Sequence, residues 1–307
     1  MRLLLPMLAC LMLVACGQQG LGLADACGLG ARTVLPLEMR GNEPIVSVTI
    51  NQRRARLVLD TGAEHTVINR SIAAVIGVRI VPGPGVASSF VGGSSLAGSG
   101  IVDQLQLGDR VLRSVPVELL ESGEVDGVLG LDILGRSDLE VNLPQRQAVL
   151  HRGSVCPGKL PPMNGPVLTI PARRGVVRPD GSSIGRDPYL MVPVALDGTK
   201  AFAMLDTGAA PGSLVSPDFA QRAGAGAERL AQDPSVTIMG FGTKAAVHRH
   251  RFGQLLVGRE VFNQPQLMVG GEMKLLMPVI LGSDYFLSHR VWFNFAGNRV
   301  FVVPVAH

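Results

Sequence analysis

Asp60 and Asp206 hold the same place in two copies of one pentapeptide, Leu-Asp-Thr-Gly-Ala, at residues 59–63 and 205–209. Paired carboxylates suit general acid–base chemistry: one takes a proton from a bound water while the other gives one up. When a fold brings them into hydrogen-bond reach they share a single proton, because like charges that close cannot both ionise. One Asp-Thr-Gly tripeptide would carry little weight, but here the context repeats with it. PIVSVTINQRRARLVLDTGA from Pro44 aligns without a gap on LMVPVALDGTKAFAMLDTGA from Leu190, at an offset of 146 residues.

The elements that must position these acids follow from the same alignment. In each copy an alternating apolar run (Val46, Val48, Ile50; Val192, Val194, Leu196) reaches a polar turn, Asn51–Arg54 or Asp197–Lys200, and a second apolar run ends at the Asp. Period two reads as strands, so each copy predicts a hairpin that delivers its carboxylate on the loop after the second strand. A two-fold repeat sets matching loops face to face across a pseudo-symmetry axis. A second landmark follows each acid: GVLGLDIL from Gly127 and PVILGSDYF from Pro278, with Gly130 and Asp132 answering to Gly282 and Asp284 at an offset of 152. The halves thus differ there by a loop-sized six residues, and Asp132 and Asp284 read as braces of turns. Between the landmarks lie Gly-rich stretches, Ser88–Gly100 and Thr237–Lys244, which suit mobile hairpin tips. Further strands are expected at Val34–Leu37, Val167–Ile170 and the runs from Leu139 and Arg290, and short helices at Ser71–Ile76 and Pro217–Ala223.

Composition agrees with a mostly β chain long enough for a sizeable core. The 307 residues include 38 Gly and 21 Pro, with 47% hydrophobic and 17% charged residues. A net charge of +4 with no basic run interleaved with aromatics argues against a nucleic-acid partner. MRLLLPMLACLMLVAC has one cation, Arg2, then an apolar run to Cys16 that is too short to span a bilayer and fits a signal peptide. Leu13-Val14-Ala15-Cys16 resembles a bacterial lipobox, which implies cleavage before Cys16 and a lipid on that residue. The resemblance predicts a lipid-anchored protein of the bacterial cell envelope, at the outer membrane facing the periplasm because Gly17 is not the Asp that retains such proteins at the inner membrane. Cys27 and Cys156 then remain as an even pair in an oxidising compartment and are expected to form a disulfide. The predicted organisation is a signal peptide at 1–15, a lipidated tether at 16–32, an N-terminal lobe at 33–150, a linker at 151–166 and a C-terminal lobe at 167–307.

On these motifs both halves resemble the lobe of retropepsin-like aspartic proteases. LVLDTGAEHTVI from Leu57 looks like that family's active-site segment, and VLGLDIL and ILGSDYF look like its turn beneath the site. Two lobes in one chain is similar to pepsin. The resemblance runs from about residue 33 to the end and implies a mostly β, two-lobed acid-protease fold, each lobe a closed β unit with a flap hairpin. It implies Asp60 and Asp206 as the catalytic pair of an endopeptidase that needs no cofactor and no metal. Thr61 and Thr207 would exchange hydrogen bonds between lobes, and Gly62 and Gly208 would let backbone N–H groups reach the acids. The flaps would close on an extended peptide or protein substrate, and a monomer is expected. The sequence departs from the pattern in two places. Ser213 comes one position later after Asp206 than Thr66 does after Asp60, and neither Tyr189 nor Tyr285 falls on a flap.

Other readings carry less. A protease fold kept only to bind an extended peptide is the rival, and two acids forced together argue against it. A half-site that dimerises in trans is disfavoured by the repeat within one chain. GSSIG at Gly181–Gly185 lacks the strand and helix of a hydrolase elbow. GLGLAD at Gly20–Asp25 lacks the third Gly of a dinucleotide site. His248 and His250 share a strand face but have no third ligand, so an exposed flap strand is expected. His65 reads as a surface residue.

Overall fold

Each repeated segment folds as the hairpin its alternation predicts. Glu43–Ile50 pairs antiparallel with Arg53–Leu59, and Leu190–Leu196 with Thr199–Leu205. The turns match too. Asn51 and Asp197 sit at positive φ (47° and 45°), and their side chains accept from the backbone N–H of Gln104 and Gln254. Asn and Asp suit this place because a short polar side chain tolerates the left-handed region and bonds nearby backbone. The computed structural model describes residues 28–90, 93–120, 125–177, 183–184, 189–240, 243–270, 275 and 277–305. The signal segment, most of the tether, Gly20–Asp25, Cys10, Cys16, Cys27 and the hairpin tips at 91–92 and 241–242 lie outside the described residues, as does all of Gly181–Gly185 except Ser183–Ile184.

In the first half the strands run in the order Glu43–Ile50, Arg53–Leu59, Gly127–Leu129, Val67–Asn69, Arg110–Leu120, Gly93–Leu107. The last pairs back on the first at Thr49↔Gln106 and Ile50↔Leu105, which closes a six-stranded barrel. Val48, Ile50, Leu57, Leu59, Ile68, Leu105 and Leu119 belong to the buried core. The second half repeats the order with Leu190–Leu196, Thr199–Leu205, Val279–Leu281, Leu214–Val215, Gln266–Gly270, Thr243–Arg251. Its two long strands are each broken. Phe252 and Gly253 separate Thr243–Arg251 from Gln254–Val257, and Gln264 and Pro265 separate Glu260–Asn263 from Gln266–Gly270. Proline cannot donate to a ladder, which explains the second break. Gln254–Val257 still pairs with Leu190–Leu196 at Leu196↔Leu255, as Leu105 does with Ile50. Each half also carries one protruding hairpin, Arg79–Phe90 with Gly93–Leu107 and Ser235–Gly240 with Thr243–Arg251.

A third, antiparallel sheet joins the halves: Leu168–Pro171, Arg299–Pro304, His289–Asn294, Asp138–Asn142, Gln147–Ser154, Gly28–Arg40. Three strands come from each half, and the halves meet at Val141↔Val291 and Leu139↔Phe293. Leu139, Val141, Val291, Phe293 and Val300 pack into the common core. Trp292 and Phe301 pack with Val155, Met163 and Val303 in a separate cluster. Asp138, buried at that joint, accepts from Ser154 Oγ (2.9 Å), Val155 N (3.0 Å), Trp292 Nε1 (2.9 Å) and Asn294 Nδ2 (2.9 Å), so a carboxylate of the first half is held partly by the second. The strand Gln147–Ser154 runs past residue 151, and Cys156 just beyond it is disulfide-bonded.

Helices form at Arg70–Ala73, starting one residue before the expected Ser71–Ile76 and ending three short of it, and at Pro217–Arg222, inside the expected segment; Asn69 and Ser216 cap them with side-chain oxygens. Leu131–Leu134 and Ser283–Ser288 follow the Gly130 and Gly282 landmarks. Among the described residues no helix is long and apolar enough to cross a membrane.

Candidate active site

The strands Arg53–Leu59 and Thr199–Leu205 end at the two acids, and parallel pairing fixes those ends. Leu59 lies beside Leu129 and Leu205 beside Leu281, and the ladder continues through Asp60 N–H to Leu129 O (3.1 Å) and Asp206 N–H to Leu281 O (2.9 Å). The chain then turns back on its own carboxylate. Asp60 Oδ1 accepts from the N–H of Gly62 (2.7 Å) and Ala63 (3.0 Å), and Asp206 Oδ1 from the N–H of Gly208 (2.8 Å).

Between the two loops the threonines interlock. Thr61 N–H donates to Thr207 Oγ1 and Thr207 N–H to Thr61 Oγ1, both at 3.0 Å. Each hydroxyl passes its proton across the joint, Thr61 to Leu205 O at 2.8 Å and Thr207 to Leu59 O at 2.6 Å. Every polar group of this buried lock has a partner, as burial requires. The glycines belong to the same contact. A Cβ on Gly62 would lie 2.2 Å from Asp206 Cγ, and one on Gly208 2.5 Å from Asp60 Cγ, so no larger residue fits between the facing loops.

The structure therefore brings Asp60 and Asp206 together with Thr61, Gly62, Thr207 and Gly208, residues the sequence spaced 146 apart. Both acids are more than nine-tenths buried. Burial raises both carboxyls above the ordinary range. At Asp60 the neighbouring Asp206 charge and the hydrogen bond between them add to burial and hold it well above that range. At Asp206 hydrogen bonds from Asp60 and from the Gly208, Ala209 and Gly62 backbones oppose the effect of burial. The two carboxyls accordingly titrate as one pair that shares a proton.

A second layer supports the loops. Gly130 N–H donates to Thr66 Oγ1 (3.2 Å), whose hydroxyl donates to Asp132 Oδ1 (2.7 Å). In the other half Gly282 N–H donates to Ser213 Oγ (3.0 Å), which donates to Asp284 Oδ1 (2.7 Å). Asp132 and Asp284 are thus turn braces. Ser213 does the work of Thr66 despite its later position, because the extra residue is taken up in a turn closed by Gly212 N–H to Ala209 O (3.1 Å), with Gly212 at φ +124°. These two hydroxyls were the site residues that motif spacing did not assign. The only signal was a Thr and a Ser at near-equal distances after the repeated Asp.

Histidines outside the motif fall as follows. His65 is exposed and lies 3.7 Å from Glu64. His250 is buried, contrary to the exposed strand expected there: its Nδ1 meets Asp233 Oδ2 at 2.6 Å and its ring lies edge-on to Phe252. Asp233 precedes the protruding hairpin and covers that face, which alternation alone does not reveal. Among the described residues no three His, Cys, Asp or Glu side chains gather as a metal site. Tyr189 and Tyr285 are buried away from the protruding hairpins.

A family model described as aspartyl protease matches residues 46–133 and again 192–285, together more than half of the chain. The chain belongs to the aspartyl protease family. Among solved structures it is similar to the aspartic proteinase from Irpex lacteus, with a TM-score of 0.55, 14% identity and coverage of 90% of this chain and 98% of that one. It is also similar to Basic 7S globulin from soybean, with a TM-score of 0.49, 10% identity and coverage of 90% and 95%. No curated protein matches it in sequence. For this aspartyl protease family member the double match falls on the two hairpin-and-loop units that carry Asp60 and Asp206, and the first structural likeness shows the two-lobed pepsin-like fold.

Proposed function

We propose that the protein is an aspartic endopeptidase that cleaves extended segments of envelope proteins or peptides. The observation that carries this reading is the buried, facing pair Asp60 and Asp206, locked by the Thr61–Thr207 exchange. The charged member of the pair serves as base and the protonated member as acid. Water attacks the peptide carbonyl carbon as its proton passes to the charged carboxylate and the proton of the other carboxyl passes to the carbonyl oxygen, giving a neutral gem-diol. Collapse breaks the C–N bond as the carboxyl that took the water proton gives it to the leaving nitrogen, and one gem-diol hydroxyl returns its proton to the other carboxylate as the carbonyl re-forms. The amide N–H groups of Gly62 and Gly208 are placed in advance and need not reorganise during the reaction. The protruding hairpins would pair by main-chain groups with a substrate strand and hold it over the acids.

We further propose that Cys16 carries lipid and holds the protein at the outer membrane facing the periplasm, and that Cys156 is bonded to Cys27. Strand register supports the second point, since Gly28 pairs with Ser154, two residues before Cys156. Labelled palmitate incorporated by the wild type and not by Cys16→Ser tests the first; a non-reduced peptide map tests the second. The activity is tested with the chain from Gly17 onward and a mixed peptide library, from about pH 3 to about pH 7. Defined cleavage products support an endopeptidase. Folded protein that cuts nothing at any pH would replace this reading with a peptide-binding member of the family.

A further inference from the structure

Beside each catalytic acid, strand register lines up a row of side chains. In the first half the row is Ile45↔Val58, Val58↔Val128, Val128↔Val67 and Val67↔Glu118. In the second it is Met191↔Met204, Met204↔Ile280, Ile280↔Leu214 and Leu214↔Met268. Val58 and Met204 each stand two residues before an acid, so alternation puts them on its side of the strand. Ile45, Val58, Val67, Leu120 and Val128 form a small cluster apart from the main core, and Ala63, whose N–H donates to Asp60, packs against it. The rows differ in kind at their last member: Met268 stands where the first half has Glu118. Glu118 is only 8% exposed, and Leu120, two residues on, places its side chain on the face of that cluster. Among the described residues no hydrogen bond or ion pair holds the Glu118 carboxylate. Arg70 donates to Leu119 O instead, at 3.3 Å. Residues 80–107, which include the strand paired to it at Ser99↔Glu118, contain no Lys or Arg, and neither do residues 121–126. A carboxylate taken out of water is costly without a cation beside it, and the neighbouring chain supplies none.

We propose that Glu118 closes a subsite for a lysine or arginine side chain of the substrate, and that the methionine row beside Asp206 takes a large apolar side chain on the other side of the cut bond. The proposal rests on the endopeptidase reading and names what its cleft selects. A substrate strand lying over both loops crosses the pseudo-two-fold axis between the acids, so its two sides meet the two rows. On the first side the apolar stem of the basic residue meets the valines and its charged end meets Glu118. Three sheet spacings, at most roughly 14 Å, separate Glu118 from the strand that ends at Asp60, and an extended peptide covers that in about four residues. The selected cation therefore falls within about four residues of the cut. On the second side Met191, Met204 and Met268 are unbranched and polarizable, so that wall adapts to apolar side chains of differing shape.

The test uses the chain from Gly17 and paired peptides identical except at one position, lysine in one and norleucine in the other, placed in turn at each of about four residues either side of the cut. At one such position lysine should raise kcat/KM roughly 30-fold or more over norleucine, the low end of what losing one partner of a buried charge pair brings. Glu118→Gln keeps the shape of the side chain and removes its charge, and should bring that ratio down to about threefold or less. Glu118→Met copies the second half and should turn the preference towards norleucine. Trp292 fluorescence like that of the wild type shows that each variant is folded. A merely structural role for Glu118 would lower both rates together and leave their ratio, and would overturn the proposal. So would the absence of a lysine preference at every position, or one that survives both variants. Binding of the same pairs to Asp206→Asn, which holds them uncut, makes the comparison without catalysis. Failure to cleave therefore counts against the endopeptidase reading, and failure to select lysine counts against this one.

Discussion

Thr207→Val weighs the joint between the lobes. The Thr207 hydroxyl donates to Leu59 O at 2.6 Å and accepts from Thr61 N–H at 3.0 Å, in a side chain with no exposed surface. Valine has nearly the same shape, so the substitution opens no cavity; it removes the hydroxyl alone. A buried carbonyl and a buried N–H are left without partners at about 1–3 kcal/mol each. The expected loss is therefore about 2–6 kcal/mol, a large share of the roughly 5–15 kcal/mol that holds a typical protein folded. Thr207→Ser keeps both bonds and gives up one methyl group, at about 1 kcal/mol. Guanidinium unfolding followed by Trp292 fluorescence reads both through the midpoint at constant slope. Thr61→Val removes the mirror half of the same network, so Thr61→Val/Thr207→Val should cost less than the two singles added. A valine variant within about 0.5 kcal/mol of wild type, or a serine variant as poor as valine, would refute the lock.

Other consequences concern the acids and the joining sheet. Because the Asp60 pKa is raised on folding, its contribution to stability is fully present below the unfolded value and is lost as pH rises through the folded one. Asp60→Asn should thus melt above wild type at neutral pH, with the advantage shrinking in acid; a constant difference across pH would contradict the shared-proton account. Gly62→Ala places a Cβ 2.2 Å from Asp206 Cγ and should lower kcat/KM by at least about 100-fold, as a displacement of about 1 Å at reacting groups does. Asp138→Ala strips the acceptor from Trp292 Nε1, Asn294 Nδ2 and Val155 N and should cost about 3 kcal/mol or more, seen as an earlier unfolding midpoint.

The dyad was legible because its signal is local and doubled. Asp-Thr-Gly after a period-two run predicts a carboxylate at a strand end, and the second copy predicts its partner. The hairpins and the second landmark followed from the same alignment. The joint between the halves was not legible. The runs from Leu139 and Arg290 read as strands, but nothing in their spacing says that they pair with each other, and nothing in the sequence marks Asp138 as buried. The extra residue before Ser213 was visible as an offset, whereas its absorption in the Ala209–Gly212 turn depends on a left-handed glycine. His250 was misread because its cover, Asp233, comes from the preceding segment.

The central claim is that Asp60 and Asp206 act as one unit around one proton. Its most direct test is kcat/KM for a cleaved peptide in Asp60→Asn, Asp206→Asn and the double variant. Groups acting as a unit are strongly non-additive. The account predicts that each single substitution abolishes cleavage in folded protein and that the double variant is no worse than either. Substantial cleavage surviving either single substitution, or losses that simply multiply in the double variant, would contradict it.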